Sequence, residues 1–290
     1  MGNRIRMGMV GGGAGAVIGE IHRLAAGMTG EIELVAGAFS RDAEASKAFG
    51  RELGLDAERS YGSWAELFRA EAALSPETRM QCVSIVTPND SHAEISCAAL
   101  EAGFHVICDK PAAGHLEDGL RMQAAVDASG LCFGLTHTYT GYPLVIEARE
   151  RIAAGEVGEI RRVHVSYLQD WLSREEDTTG SKQASWRNDP ARSGEAGAFA
   201  DIGTHAFNLV EFMTGRQVTR LAAQLRSVIA GRVIDDDGGA LFELDNGAAG
   251  MLSASQVCSG AVNALKIEIY GSEGSLHWFQ EAPNELVLKA

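Results

Sequence analysis

Met9-Val10-Gly11-Gly12-Gly13-Ala14-Gly15-Ala16 joins an apolar run at 5–10, which reads as a buried strand, to a pattern over 18–28 that reads as a helix. Glycines at such a junction let the chain turn tightly and let backbone N–H groups close on a pyrophosphate at the helix N-terminus. Gly11, Gly13 and Ala16 satisfy the spacing G-x-G-x-x-(G/A), and Gly19 indicates a longer, looser version of the loop. The expected ligand is a dinucleotide and not a triphosphate, because the lysine and hydroxyl residue of a P-loop do not follow.

Outward from that loop, strand signals at 32–39, 82–86, 104–108 and 131–136 alternate with helix signals at 43–53, 64–72, 92–102 and 116–128. Short apolar strands separated by helices predict a parallel sheet covered on both faces. After Gly141 the pattern changes. A helix at 144–154 leads into 160–169, where apolar and polar residues roughly alternate. Strand signals at 220–228, 240–244, 248–255, 265–270 and 275–279 follow, separated by glycine turns such as Asp245-Asn246-Gly247. The expected architecture is an α/β Rossmann domain over 1–141, then an α+β domain over 142–290 with a large, mainly antiparallel open sheet.

The 290 residues suit two domains, which usually run ~100–200 residues each. A balance of 25 basic to 39 acidic residues, −14 in all, argues against nucleic acid or an anionic membrane as a partner, since either wants a basic face. Cys82, Cys97, Cys108, Cys132 and Cys258 form no C-x-x-C pair, so neither a disulfide framework nor structural zinc is expected and a reducing compartment fits. Charged Arg4 and Arg6 stand where a signal sequence would turn apolar, and no run approaches the ~18–20 apolar residues of a membrane span. A cytoplasmic protein is expected.

Three further motifs are more specific. Thr87-Pro88-Asn89-Asp90-Ser91-His92 follows one strand and Cys108-Asp109-Lys110-Pro111 another, while Asp201-Ile202-Gly203-Thr204-His205 falls in an expected helix. With the N-terminal loop, this order and spacing resembles the glucose–fructose oxidoreductase and inositol dehydrogenase family (Gfo/Idh/MocA). The stretch Thr136-His137-Thr138-Tyr139-Thr140-Gly141-Tyr142-Pro143 is most similar to its levoglucosan-dehydrogenase-like branch. The family's E-K-P appears here as Asp109-Lys110-Pro111, which shortens the carboxylate and keeps the lysine. The resemblance implies a Rossmann domain binding NAD or NADP, hydride transfer from a sugar, polyol or anhydrosugar hydroxyl, and a sheet domain that shapes the substrate site and supports a homo-dimer or tetramer. Family chains continue past 285–290, so a C-terminal truncation is expected.

Individual roles follow from chemistry and from that resemblance. Gly11, Gly13, Gly15, Ala16 and Ile18 are expected around the cofactor pyrophosphate. After the second strand, where an NAD enzyme often places a carboxylate on the ribose, stand Ser40 and Arg41, with the first acid only at Asp42. Acceptance of NADP⁺, at least as a secondary coenzyme, is therefore expected; the alternative is that Arg41 points to solvent while Asp42 caps a helix. The resemblance implies that Thr87, Pro88, Asn89 and His92 lie beside the nicotinamide ribose, with Asp109 and Lys110, and that Trp186 and Arg187 reach across to the cofactor.

Oxidising a secondary alcohol needs a base for the hydroxyl proton and a cation for the developing alkoxide. His205 suits the first and Lys110 the second, while Asp201, four residues earlier, can orient the imidazole or hold a neighbouring hydroxyl. The resemblance implies the same catalytic set: Lys110, Asp201 and His205. His137, Tyr139 and Tyr142 suit a sugar pocket through their rings and polar atoms, and equally suit a core. Asp235-Asp236-Asp237 resembles a metal cluster and reads as a charged turn, one carboxylate of which can face the substrate; no metal is expected. Two rivals remain, a ketose or imine reductase using the same site and a non-catalytic nucleotide-sensing regulator on the same scaffold.

Overall fold

The computed structural model describes residues 4–174 and 189–290. The chain divides into two compact units, Met1–Thr136 and His137–Ala290, each organised by a sheet of its own.

In the first unit β1 (Ile5–Gly11), β2 (Ile32–Ala38), β3 (Cys82–Val86), β4 (His105–Cys108) and β5 (Phe133–Leu135) pair in parallel in the order β2-β1-β3-β4-β5. The crossovers carry α1 (Val17–Met28), α2 (Ala43–Glu52), α3 (Trp64–Ala72), α4 (His92–Glu101) and α5 (Leu116–Ser129). Every residue of β3 is buried, as a central parallel strand requires. Side-chain alternation along the strands feeds two cores. Met7, Met9, Cys82 and Val86 pack on one face with Phe39, while Val10, Val83, Ile85 and Val106 pack on the other with Leu67, Phe68 and Phe104.

A buried carboxylate is tolerated only when fully partnered, and Glu71 at the end of α3 meets that condition. It pairs with Arg59 (Nε to Oε1 2.9 Å) and accepts hydrogen bonds from the Tyr61 hydroxyl (3.1 Å) and the Met80 N–H (2.8 Å). The helix is thereby fixed to the chain that enters β3.

The second unit begins before the 141/142 boundary read from the sequence, because Tyr139 and Tyr142 pack against its core. It contains α6 (Pro143–Ala153), β6 (Ile160–Leu168), α7 (Thr204–Thr214), β7 (Val218–Arg226), β8 (Asp237–Leu244), β9 (Ala249–Ser255), β10 (Ala264–Gly271), β11 (Ser275–Phe279) and β12 (Leu286–Lys289). The sheet order is β12-β11-β10-β6-β9-β8-β7, antiparallel except where β6 pairs with β9. One face of the sheet carries Val163, Val165, Leu252, Leu265, Ile267 and Trp278 into a core with α6 and α7. Neither the parallel pair nor β12 was visible in the strand pattern. Pairing order is not a local property, and four residues at a sheet edge show little alternation. Among the described residues, no helix is long and apolar enough to cross a membrane.

Candidate active site

The order β2-β1-β3 sends the connections after β1 and β3 to opposite sides of the sheet. The crevice at the carboxyl ends of those two strands is where open α/β sheets take ligands. The glycine loop leaves β1 there and Thr87-Pro88-Asn89 leaves β3. At Gly13 a Cβ would stand 2.6 Å from the Phe39 carbonyl oxygen, so only glycine lets the loop lie against the end of β2. Gly15 has φ +74°, and a Cβ there would meet nothing within 4 Å, so this side of the loop is open.

Ala16 is the N-cap of α1 and supplies no side-chain cap, which leaves the first-turn N–H groups to an incoming anion. Ala16 N–H donates to Gly13 O (3.0 Å), and Arg23 Nη1 donates to Gly12 O (2.8 Å), fixing the loop from within. Ile18 packs on the core beneath α1. Close backbone, open space and an uncapped helix start are what a dinucleotide pyrophosphate requires, so these residues fit that group. Past β2, Asp42 caps α2 by accepting from Ala45 N–H (2.9 Å), Ser40 Oγ accepts from Asp42 N–H (3.1 Å), and Arg41 is exposed.

His92 is 1% exposed, with Nε2 2.8 Å from Thr87 O and Nδ1 2.8 Å from Pro111 O. Both ring nitrogens thus face backbone, and the imidazole ties the loop after β3 to the loop after β4, which carries Lys110. Asn89 is buried in the same loop. Asp109 accepts from the Thr136 hydroxyl (2.8 Å) and its N–H bonds Ile85 O (2.9 Å), so the half-buried Lys110 follows a residue held at both ends. The Lys110–Pro111 peptide is cis. Burial pushes the Cys108 thiol up to about 12, which makes it a packing group and not a nucleophile. His22 on α1, which the sequence reading did not single out, lies 2.8 Å from Ser84 Oγ. Burial holds its imidazole below the ordinary value and the Asp109 carboxylate opposes that. Trp186 and Arg187 lie outside the described residues.

In the second unit Asp201 sits in a π-turn (Phe199–Gly203) that runs directly into α7, with His205 in the first turn of that helix. Asp235 sets the start of the turn, its carboxylate accepting from Gly197 N–H (2.7 Å) and Phe199 N–H (2.8 Å). The other carboxylates of the triplet are also engaged: Asp236 with Val228 N–H, Ile229 N–H and Arg232, and Asp237 with Arg226. The triplet is therefore not the charged turn read from the sequence: Asp235 and Asp236 are buried braces for neighbouring backbone and for Arg232, and Asp237 opens β8.

Because β6 and β9 are parallel and β10 opposes β6, the ends of β6 and β9 and the start of β10 meet at one end of the sheet. Three amides missed by the sequence reading stand just beyond them: Gln169, Gln256 and Asn263. Gln256 Nε2 donates to Asp201 Oδ2 (2.7 Å), Gln169 Nε2 to Asn263 Oδ1 (2.8 Å), and Trp171 Nε1 to Gln169 Oε1 (3.0 Å). The Tyr167 hydroxyl donates to Asn263 Oδ1 (2.6 Å) and is also hydrogen-bonded to the Tyr139 hydroxyl. Burial, then the Tyr139 phenol and the Asp201 carboxylate, hold the Tyr167 phenol well above its ordinary value, so it remains a donor.

His205 is 7% exposed, with the Tyr139 ring edge-on at 4.9 Å and the ring of His137 at 5.2 Å. Tyr142 stacks on Tyr139 and packs edge-on against the core residue Trp278. Of the expected substrate residues in this unit, His137, Tyr139, Asp201 and His205 therefore share one polar cluster, and Tyr142 is its link to the core. Chemically, the cluster joins a carboxylate, imidazoles, phenols and amides, groups that can bind several hydroxyls at once.

A Rossmann unit with a dinucleotide loop, followed by a sheet unit with an Asp/His pair near the ends of its central strands, defines a class of nicotinamide-dependent oxidoreductase. Residues 5–137 match the oxidoreductase family with an NAD-binding Rossmann fold, and residues 145–277 match the GFO/IDH/MocA C-terminal domain. The chain belongs to the GFO/IDH/MocA oxidoreductase family. It is 35% identical to the uncharacterized oxidoreductase YfiI of Bacillus subtilis (strain 168), over 97% of this chain and 72% of that protein. It is 29% identical to levoglucosan dehydrogenase of Pseudarthrobacter phenanthrenivorans, over 84% of this chain and 63% of that protein. The inositol dehydrogenase homolog of Azotobacter vinelandii, solved in complex with NAD⁺, superposes with a TM-score of 0.94 at 37% identity. That match covers 100% of this chain and 74% of the other.

Proposed function

We propose that the protein oxidises a ring hydroxyl of a sugar, cyclic polyol or anhydrosugar. In this reading His205 takes the hydroxyl proton, Lys110 stabilises the alkoxide by a charge-assisted hydrogen bond, and Asp201 orients a neighbouring hydroxyl. The dinucleotide, when bound, supplies the hydride acceptor. The observation that carries the reading is the cluster around His205, where Asp201, Gln256, Gln169, Asn263 and two phenols offer donors and acceptors suited to a polyhydroxylated ring. Similarity to a levoglucosan dehydrogenase and to an inositol dehydrogenase homolog supports the same substrate class.

The reading includes a cytoplasmic homo-oligomer. Self-association is supported by apolar groups left in solvent, among them Val17, Ile21, Leu24 and Met28 along one side of α1 and the cross-strand pair Leu241 and Met251. The test is a panel of myo-inositol, levoglucosan, aldoses and their polyols, with NAD⁺ and with NADP⁺, followed by absorbance of the reduced coenzyme. Turnover of at least one cyclic polyol or anhydrosugar is expected. Tight coenzyme binding with no turnover across the panel would overturn the dehydrogenase reading in favour of a nucleotide-sensing regulator.

A further inference from the structure

We propose that His137 is the orienting partner of His205, fixing which ring nitrogen of the base carries a proton; the inference rests on the dehydrogenase reading above. The two Nδ1 atoms are 3.3 Å apart and the rings meet at 85°, edge to face. A contact between two imidazole nitrogens is a hydrogen bond only when one carries hydrogen and the other is bare, so one Nδ1 donates and the other accepts, and with both rings neutral the pair holds complementary tautomers. In one arrangement His205 donates from Nδ1 to His137, and its Nε2 lone pair is available to a hydroxyl proton. In the other His137 donates, His205 carries its proton on Nε2, and it cannot serve as a base from that atom. Only the first arrangement is compatible with the role assigned to His205.

The surroundings favour a fixed geometry. His137 opens the turn Thr138–Gly141, and its carbonyl accepts from both the N–H (3.3 Å) and the hydroxyl (2.8 Å) of Thr140, which pins the backbone that carries the ring. Titratable groups near His205 among the described residues include Asp201, one turn earlier on the same stretch and bonded by Gln256, and the phenols of Tyr139 and Tyr167, with ring centroids at 4.9 and 6.2 Å. When the hydroxyl O–H bond breaks and its proton binds His205 Nε2, the ring becomes an imidazolium whose Nδ1–H still donates to His137. The orienting bond is thus kept, and becomes charge-assisted, as the proton is transferred. A neutral imidazole accepts only while it is itself unprotonated. Acid therefore disables the pair by either of two routes, protonation of the base or protonation of its orienting partner.

Two measurements on the full chain test this. Nitrogen-15 spectra of histidine-labelled protein, assigned with the His137→Asn and His205→Asn variants, report the tautomers without any turnover. The expectation is His205 protonated at Nδ1 and bare at Nε2. A resting His205 protonated at Nε2 and bare at Nδ1 overturns the proposal. In steady-state kinetics on the best substrate of the panel, His137→Phe should lower kcat by roughly ten- to a hundred-fold with KM nearly unchanged and should alter the acid limb of the pH profile. His137→Asn, whose amide oxygen can accept in place of Nδ1, should recover part of that loss. A rise in KM at constant kcat would make His137 a substrate contact, and failure of Asn to improve on Phe would also overturn the orienting role. If the spectra show the expected tautomers while no sugar or polyol is turned over, the pairing stands and the dehydrogenase reading fails.

Discussion

In the proposed site, the groups that Met1–Thr136 would offer to a ligand are mostly backbone, shaped by Gly13, Gly15 and the start of α1 and braced from behind by His92 and Arg23. In His137–Ala290 they are mostly side chains, drawn from turns and strand ends far apart in sequence: His137, Tyr167, Asp201, Gln256 and Asn263. Backbone groups are nearly the same for every residue type but proline, so the sequence of the first arrangement is limited mainly by steric room. Side chains differ, so the second arrangement can be retuned one residue at a time while the fold stays as it is.

The largest effect is expected where the two halves carry chemistry. His205→Ala and Lys110→Ala should each cost ~10²–10⁴-fold in turnover, with a much smaller change in coenzyme affinity for Lys110→Ala and none for His205→Ala. Fluorescence titration with reduced coenzyme beside steady-state assays checks both. Turnover near the parental level in either variant removes that residue from the catalytic set.

A second comparison lies within the loop. Gly13→Val must displace the Phe39 carbonyl and should weaken coenzyme binding by more than about ten-fold with a lowered Tm, since overpacking typically costs 1–3 kcal/mol. Gly15→Ala has space and meets only the cost of a left-handed backbone, about 1 kcal/mol. Equal losses for the two, by calorimetry and coenzyme titration, would mean that steric room is not what limits this region.

Gln256→Leu tests the side-chain half. It removes the donor to Asp201, and a hydrogen bond to a charged group is worth ~1.5–3 kcal/mol, so kcat/KM on the preferred substrate should fall about ten-fold or more. The order of preference within the panel should change while coenzyme binding does not. A uniform loss for every substrate would point to damaged folding.

The smallest effect belongs to Arg41. It is exposed, and Asp42 is engaged as a helix cap, so Arg41→Ala should weaken NADP⁺ more than NAD⁺ by no more than roughly ten-fold. Identical losses for the two coenzymes would separate Arg41 from the 2′-phosphate.

The same contrast explains what could be read from residues alone. The loop at 9–16, the strand at 82–86 and the helix at 64–72 are local signals: glycine where backbone must approach, continuous apolar residues where both faces are covered, period 3.6 where one face is. Asp201 and His205 were legible because they lie four residues apart in a motif. Gln169, Gln256 and Asn263 carried no such mark. Each is an ordinary amide beside a strand end, and they converge only because β6 is flanked by β9 in parallel and β10 antiparallel. His92 was expected beside a cofactor on the strength of its motif, and burial turns its ring toward two backbone carbonyls. The role of Asp235 was equally hidden, since its partners, Gly197 and Phe199, lie in a different stretch of chain.

The placement of β6 also has a consequence during synthesis. The whole of Met1–Thr136 is synthesised before β6, and the ribosome must then add on the order of ninety residues before β9 and β10 can pair with it, a long-range closure of the kind that slows folding. Early in that interval Val163, Val165 and Tyr167 have α6 as a core partner, and α7 joins it later. The nascent second unit is thus the part of the chain most in need of shelter by a chaperone. A substitution that loosens α6 or α7 should appear first as insoluble product at high expression rates, before it lowers the melting temperature of the protein that does fold.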